Sequence, residues 1–413
     1  MSTTSAAVRR PRRAVVTTFA GMAAVVTALA TLAGCGSSSS SAASSSSSPS
    51  SSVAGASSAG GDPRKANVTI TAANGCSADK LSFPAGALTF DIANKDATAV
   101  SEVELQSGQR IVGEKENLPP GFSGTFSVTV DAGKYTLYCP GAAQENTTIT
   151  VTGKAAGSGD ADADTLLSQG TKQYASYVTN QVGYLVQTTE ALQAALKGSD
   201  LTAAQQAYMK ARPYYEKIEP VAESFTVGSD NLDNDIDARA DDVSASQWEG
   251  FHRIEKGLFQ DKSLSGLSTY GAGLVTDVTK LQTLTTGLSY KPFELANGAQ
   301  DLLDEVASSK ITGEEERYSH IDLLDFQAND EGAEQAFASL QPALQKIDPT
   351  LTTTITRAFT SLDSLVDTYR TGSNESGFVL YTTLTDTDKQ KLAAAVKAVQ
   401  EPLSQVAAKV ANA

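Results

Sequence analysis

From residue 66 to 153, apolar and polar positions alternate in short bursts. The segments 68–72, 88–92, 100–105, 125–130, 135–138 and 147–151 are rich in Val, Thr, Phe and Tyr, with Gly, Pro, Asn and Asp between them. A period of two broken by turn formers at this spacing predicts short strands in an antiparallel β-sandwich. Beyond Lys154 the period changes to 3.6. Helices are expected near 202–225, 245–260, 268–287, 293–309, 320–346, 349–371 and 385–411, and the short loops between them predict two helical bundles packed together. Thr202 and Gln205 have capping-box spacing for the first of these, and Pro213 and Pro220 fall inside it, each removing a backbone hydrogen bond. The fold class is therefore multidomain, β followed by all-α: a β-sandwich over 63–153, a Gly/Ser/Asp/Ala linker over 154–163 and a helical-bundle domain over 164–413.

Ahead of the β domain the pattern is of a different kind. Arg9-Arg10-Pro11-Arg12-Arg13 precedes an apolar run from Ala14 to Ala33 that closes on Leu32-Ala33-Gly34-Cys35. This is the pattern of a signal peptide, residues 1–34, with a lipobox, so lipidation is expected on Cys35. The run is long enough to span a membrane, but its Ala and Thr content and the serine tract directly after the cysteine favour the lipobox. The arginine pairs leave the export route, Sec or twin-arginine, open. Residues 35–62 are nearly all Ser, Ala and Gly, too poor in apolar surface to fold, and read as a flexible tether. The expected location is the cell envelope, outside the cytoplasm, with the membrane reached by the lipid alone.

The formal charge of −15 includes the four arginines of the leader, which leaves −19 beyond it. Nucleic acid is an improbable partner for such a chain. An acidic surface attracts cations, yet acidity more often serves solubility than a site. Besides Cys35 there are two cysteines, Cys76 and Cys139, and in an oxidising compartment two such residues make a disulfide by default.

The whole chain has two histidines, His252 and His320, both beside acidic residues of the helical part. His252-Arg253-Ile254-Glu255 puts an imidazole and a carboxylate one helical turn apart on a single face. Glu216 and Glu219 repeat the spacing, and Glu223 extends the stripe. In metal-binding bundles, carboxylates and i, i+3 Glu/His pairs on facing helices converge on an ion in this way. Oxygen ligands with one imidazole suit a transition metal better than Mg²⁺ or Ca²⁺. An isolated His-x-x-Glu is common by chance, but the apolar neighbours Trp248, Phe251, Ile254, Leu258 and Phe259 put this pair toward a core, where it needs a partner. The run Asp233-Asn234-Asp235-Ile236-Asp237 fails as a calcium loop, because Ala238 and Ser244 stand where an EF-hand needs Gly and Glu. Its aspartates are either a solvated loop or contributors to the His252 site.

The stretch Gly250-Phe251-His252-Arg253-Ile254-Glu255-Lys256-Gly257-Leu258-Phe259, together with Lys310-Ile311-Thr312-Gly313-Glu314-Glu315-Glu316-Arg317-Tyr318-Ser319-His320, Asp322 and Asp325-Phe326-Gln327-Ala328-Asn329, resembles the imelysin-type domain of the EfeO family of iron-uptake lipoproteins. The order of parts, lipoprotein signal, cupredoxin-like domain and imelysin-like domain, is similar to that family over nearly all of the chain beyond the leader. The resemblance implies a component of a ferrous-iron uptake system that works with a membrane permease and a haem-containing Dyp-type peroxidase. It implies an iron site, Fe²⁺ or Fe³⁺, made by His252 and Glu255 with Glu216, Glu219, Asp233 and Glu315. Which of Glu314, Glu315 and Glu316 points inward stays open.

For the β domain the resemblance implies a cupredoxin-like fold, and Tyr135-Thr136-Leu137-Tyr138-Cys139-Pro140-Gly141 is similar to the last strand of a cupredoxin. Residues 66–153 contain neither His nor Met, so a blue-copper centre lacks its imidazoles. Glu102 and Glu104, two apart on a strand, face one side. The family reading is a copper or iron site from Cys76, Glu102, Glu104 and Cys139; the alternative is a disulfide beside two surface glutamates. No enzymatic turnover is expected beyond metal-assisted oxidation of Fe²⁺. A zinc metallopeptidase is the competing reading, because imelysin-like domains have been grouped with such enzymes. It needs a second imidazole, yet position 256 is Lys256, which leaves His320 on another helix as the one source.

Overall fold

The computed structural model describes residues 62–100, 102–108, 110–115, 118–153, 161–227, 230–372 and 376–413. The expected signal peptide, Cys35, the tether through residue 61 and most of the linker lie outside them. Nine strands form the first domain among the described residues: β1 (Lys65–Thr71), β2 (Gly75–Ala78), β3 (Ser82–Pro84), β4 (Gly86–Asn94), β5 (Val103–Ser107), β6 (Arg110–Lys115), β7 (Ser123–Val130), β8 (Gly133–Tyr138) and β9 (Asn146–Thr152). They pair as two sheets, β2-β1-β4-β7 and β3-β9-β8-β5-β6. β4 shows the period of two directly, with Leu88, Phe90 and Ile92 buried and the intervening side chains half-buried. These residues meet Val68, Ile70, Leu137 and Ile149 in one core between the sheets.

The sandwich is mixed rather than wholly antiparallel, since β1 runs parallel to β4 and β3 parallel to β9. The cause is the path between them: after β2 the chain enters the second sheet as β3 and returns to the first as β4, so strands close in sequence are split between sheets. The expected strands are all present; β2, β3 and β6 were not legible because two are very short and β6 carries a glycine among charged residues.

The helical domain begins at Ala161, slightly ahead of the expected boundary. Its elements are α1 (Ala161–Leu196), α2 (Leu201–Glu216), α3 (Glu219–Ala222), α4 (Leu232–Ile236), α5 (Gly250–Glu255), α6 (Leu267–Thr285), α7 (Pro292–Ser308), α8 (Asp322–Ile347), α9 (Pro349–Asp367), α10 (Asp386–Leu403) and α11 (Val406–Ala411). The cap of α2 is Asp200, whose carboxylate accepts the Ala203 N–H at 3.1 Å, two residues ahead of the expected Thr202 box. The expected 202–225 helix is split after Glu216. Pro213 is tolerated inside α2, but Pro220 has no N–H and opens the separate α3. The two expected bundles are one continuous core, organised around α8, which packs on α1, α2, α7 and α9.

The domains meet through α7 and the β7 edge. The Asn297 amide donates to the Thr129 carbonyl at 3.0 Å and accepts the Thr129 N–H at 3.3 Å, and Lys291 pairs with Asp131. Both domains line a cleft of about 400 Å³, with Glu102, Pro119 and Pro120 on one wall and Glu219, Glu223 and Glu305 on the other. Among the described residues no helix is long and apolar enough to cross a membrane.

Candidate metal centre

The site is assembled by breaks in helices. Gly250 opens α5 with φ +76°, and a Cβ there would lie 2.2 Å from the Ile236 carbonyl oxygen. Only glycine allows that approach. It seats the start of α5 on the end of α4 and brings His252 beside Asp237, the residue that caps α4. Directly after Glu255 the helix widens into a π-helical turn, Lys256–Gln260, a local irregularity frequent at functional sites.

His252 is buried, and its Nδ1 lies 3.3 Å from Glu255 Oε2, as the three-residue spacing predicts. The second Glu255 oxygen accepts the backbone N–H groups of Tyr318 and Ser319, each at 2.7 Å. Glu255 is thus committed behind the ring, where it orients the imidazole. The opposite nitrogen, Nε2, is 3.5 Å from both Asp237 Oδ1 and Glu315 Oε1, at the edge of hydrogen-bond reach, and makes no hydrogen bond. A carboxylate on one ring nitrogen with the other nitrogen open among carboxylates is the arrangement of metal-ligating histidines.

Two overlapping groups of ligand atoms lie within 4.8 Å of one another: Asp237, His252 and Glu315, and Glu216, Glu219, Asp237 and Glu315. Glu216 ends α2 and Glu219 opens α3, so the break between the helices lets both carboxylates reach one point. Glu315 comes from the loop after a 3₁₀ turn, Lys310–Thr312, which Gly313 (φ +84°) closes against the Tyr381 ring. Of the three successive glutamates, Glu314 is 40% exposed. Glu316 is buried but is held by the Tyr208 hydroxyl at 2.7 Å, by Ser319 and by Arg212 Nε at 3.3 Å, outside the ligand groups around His252. Glu315 is the one that faces His252.

Two basic side chains are buried with these acids. Arg212 pairs with Glu216 and Asp237, with Glu315 at 2.9 Å and with Asp325 at 3.0 Å, while its guanidinium lies 5.2 Å from the centre of the Phe251 ring. Lys310 Nζ lies 3.0 Å from Glu216 and 2.5 Å from Glu219. Burial works against each cation, but the surrounding carboxylates outweigh it and hold both well above their ordinary pKa. The same contest, decided chiefly by Asp237, raises His252 well above the usual imidazole range. For Glu315 burial opposes ionisation, yet Lys310, His252 and Arg239 hold the carboxyl well below its ordinary value. Even with His252 charged, three buried cations face seven buried carboxylates, those of Glu216, Glu219, Asp237, Glu255, Glu315, Glu316 and Asp325. Such an excess of buried negative charge is costly without a further cation or bound protons.

Not every expected ligand joins the group. Asp233 bonds the Tyr215 hydroxyl, and Asp237, four residues on, takes its place. His320, at φ +60°, is in none of the ligand groups found among the described residues. Cys76 and Cys139 are joined in a disulfide, so no thiolate is offered to copper or iron while it is closed. Glu102 and Glu104 do converge, and Glu114 completes their group. Sequence reasoning missed Glu114, Arg212 and Lys310 as site residues, and it held Asp237 only as one of the aspartates of the 233–237 run open to the His252 site. Asp237 had a signal in its acidic run followed by the Gly-Phe-His start of α5; Glu114 stands opposite Glu104 only through the register of β5 and β6.

Residues 170–406 match the family model described as imelysin, and residues 29–151 match that of the cupredoxin-like domain. The chain is 37% identical over 351 residues to the iron uptake system component EfeO of Escherichia coli K12, covering 84% of this chain and 91% of that protein. The EfeO proteins of Shigella flexneri and Shigella sonnei match to the same extent. The chain belongs to the EfeO family of iron uptake system components, with a cupredoxin-like domain followed by an imelysin domain.

Proposed function

We propose that this EfeO-family protein is an extracytoplasmic iron carrier, held at the membrane through Cys35, that binds its cargo in the helical domain and passes it to a membrane permease. Asp237, Glu315 and His252 Nε2 form the first contacts, with Glu216 and Glu219 adjoining and Glu255 holding the ring. The observation that carries this reading is the buried His252 Nε2, without a hydrogen bond and flanked by two carboxylates. Hard oxygen donors suit Fe²⁺ and Fe³⁺, and one imidazole adds strength for a transition metal. The acidic cleft gives a cation a path to Glu219 and Glu315, both of which line it. The haem peroxidase implied by the family resemblance would act on iron before capture or after release. The Ser/Ala tether would let the carrier reach either partner.

A zinc peptidase needs a second imidazole and an open position for water, and His320 offers none to the groups found among the described residues. The β-domain group Glu102, Glu104 and Glu114 reads as an acidic collecting point at the cleft, where Glu102 lies.

Calorimetry and bound-metal analysis of the purified protein test this with Fe²⁺ under argon, Fe³⁺ citrate, Zn²⁺ and Cu²⁺. One tightly held iron is expected, weakened by about 10–100-fold or more by His252→Ala or Glu315→Gln with folding retained, since loss of an outer-shell partner alone costs that much. Binding unchanged in both variants would make the buried group structural.

A further inference from the structure

The group formed by Glu216, Glu219, Asp237 and Glu315 already surrounds a cation that belongs to the chain. Lys310 Nζ touches three of the four: Glu216 at 3.0 Å, both oxygens of Glu219 at 2.5 and 2.6 Å, and Glu315 at 3.6 Å, with the side chain only 3% exposed. A metal ion drawing on the same oxygens would sit about 2.0–2.2 Å from them. It would share their lone pairs with an ammonium that repels it at close range. Both cannot hold Glu216 and Glu219 at once.

The two buried bases differ in what they can do about this. Arg212 is fully buried, spreads its guanidinium over Glu216, Asp237, Glu315 and Asp325, and lies against the Phe251 and Tyr215 rings. A rigid fork with that many partners is part of the frame. Lys310 is a point charge on a flexible stem, rooted in a three-residue 3₁₀ turn. It also has somewhere to go. Glu305 Oε1 is 3.7 Å from Nζ, its side chain is 17% exposed, and it belongs with Glu219 and Glu223 to a second group of acids on the wall of the cleft.

We propose that Lys310 is the resident counter-ion of the cargo site, and that an entering metal displaces its ammonium from Glu216 and Glu219 toward Glu305 in the cleft. The exchange keeps the charge of Lys310; only its position changes. While the site awaits metal, the ammonium holds Glu216 and Glu219 in place. A cation that binds too weakly to displace it is refused, and its return to Glu219 favours release. Lys310 is on this account a positioning and selecting residue, and the inference rests on the helical-domain site proposed above.

Amine-reactive acetylation read by mass spectrometry tests it on the whole protein, with and without Fe²⁺ under argon and with and without Zn²⁺. Lys310 is expected to be poorly labelled alone and labelled at least about fivefold faster once metal is bound, while the exposed Lys134 is unchanged as the internal standard. Lys310→Met is expected to bind metal about tenfold or more tightly and to gain a larger upward shift in melting temperature on metal addition than wild type. If Lys310→Met does not fold, the labelling of wild type still decides. Metal bound with Lys310 labelling unchanged, or weaker binding by folded Lys310→Met, would overturn the displacement and leave the metal site standing. No metal uptake by wild type would overturn both.

Discussion

The two acidic groups of this molecule are built in opposite ways. In the β domain, Glu104 and Glu114 face each other because β5 and β6 pair in that register, and Glu102 joins them from just ahead of β5. Glu104 is buried, but Glu102 and Glu114 are half-open, and the domain has no imidazole to add. In the helical domain the carboxylates come from the end of one helix, the start of the next, the cap of a third and a loop, and they are closed over with Arg212, Lys310 and His252 among them. Like charges set opposite each other on neighbouring strands are destabilising by about 0.2–1 kcal/mol, a cost that the half-open Glu102 and Glu114 keep low. The same charges inside a helical core cost far more unless cations are built in with them. The difference separates an acidic surface, which can gather ions, from a site folded in advance around the positions of cations.

The largest effect is expected from removing the permanent cation. Arg212→Ala leaves Glu216, Asp237, Glu315 and Asp325 buried without their shared partner, and the expected loss is about 3–5 kcal/mol in chemical unfolding of the metal-free protein. A loss within about 0.5 kcal/mol, typical of an exposed position, would mean that the helical group is not held by its own cations.

A smaller effect follows from His252. Its pKa is raised above the unfolded value, so the imidazolium contributes stability that is complete below the unfolded pKa and is lost as pH rises through the folded one. Metal binding carries the opposite sign, because a metal needs Nε2 without its proton. Iron affinity is expected to rise with pH by about tenfold per unit for each proton displaced, continuing past neutrality, while metal-free stability falls over the same window. Isothermal titrations at successive pH values check this, and His252→Gln is expected to flatten the slope by about one proton. An equal slope in that variant would place the displaced proton on a carboxyl group.

Much of the architecture was legible in the sequence and less of the site. The change of period near residue 154 and the six readable strands follow from side-chain burial, which leaves its mark on every second or every third and fourth position. His252 and Glu255 were legible as a pair because α-helical geometry fixes their spacing. Their division of labour was not, since it depends on the Tyr318 and Ser319 amides that occupy Glu255. Asp233 was favoured over Asp237 because no pattern marks where α4 ends; Asp237 leaves the helix at its cap and turns inward. Arg212 and Lys310 stand 98 residues apart and look like ordinary surface bases until tertiary packing buries them in one acidic pocket. The disulfide was one of two open readings for Cys76 and Cys139, and strand pairing between Ile70 and Cys76 places that residue in the core facing the end of β8.

A crystal of the protein grown with iron, with an anomalous difference map collected at the iron edge, locates the bound ion directly. One strong peak is expected within coordination distance of His252 Nε2, Asp237 and Glu315, with Glu255 still bound to Tyr318 and Ser319 behind the ring. A map whose iron lies only at Glu102, Glu104 and Glu114, with His252 Nε2 unligated, would contradict a cargo site in the helical domain.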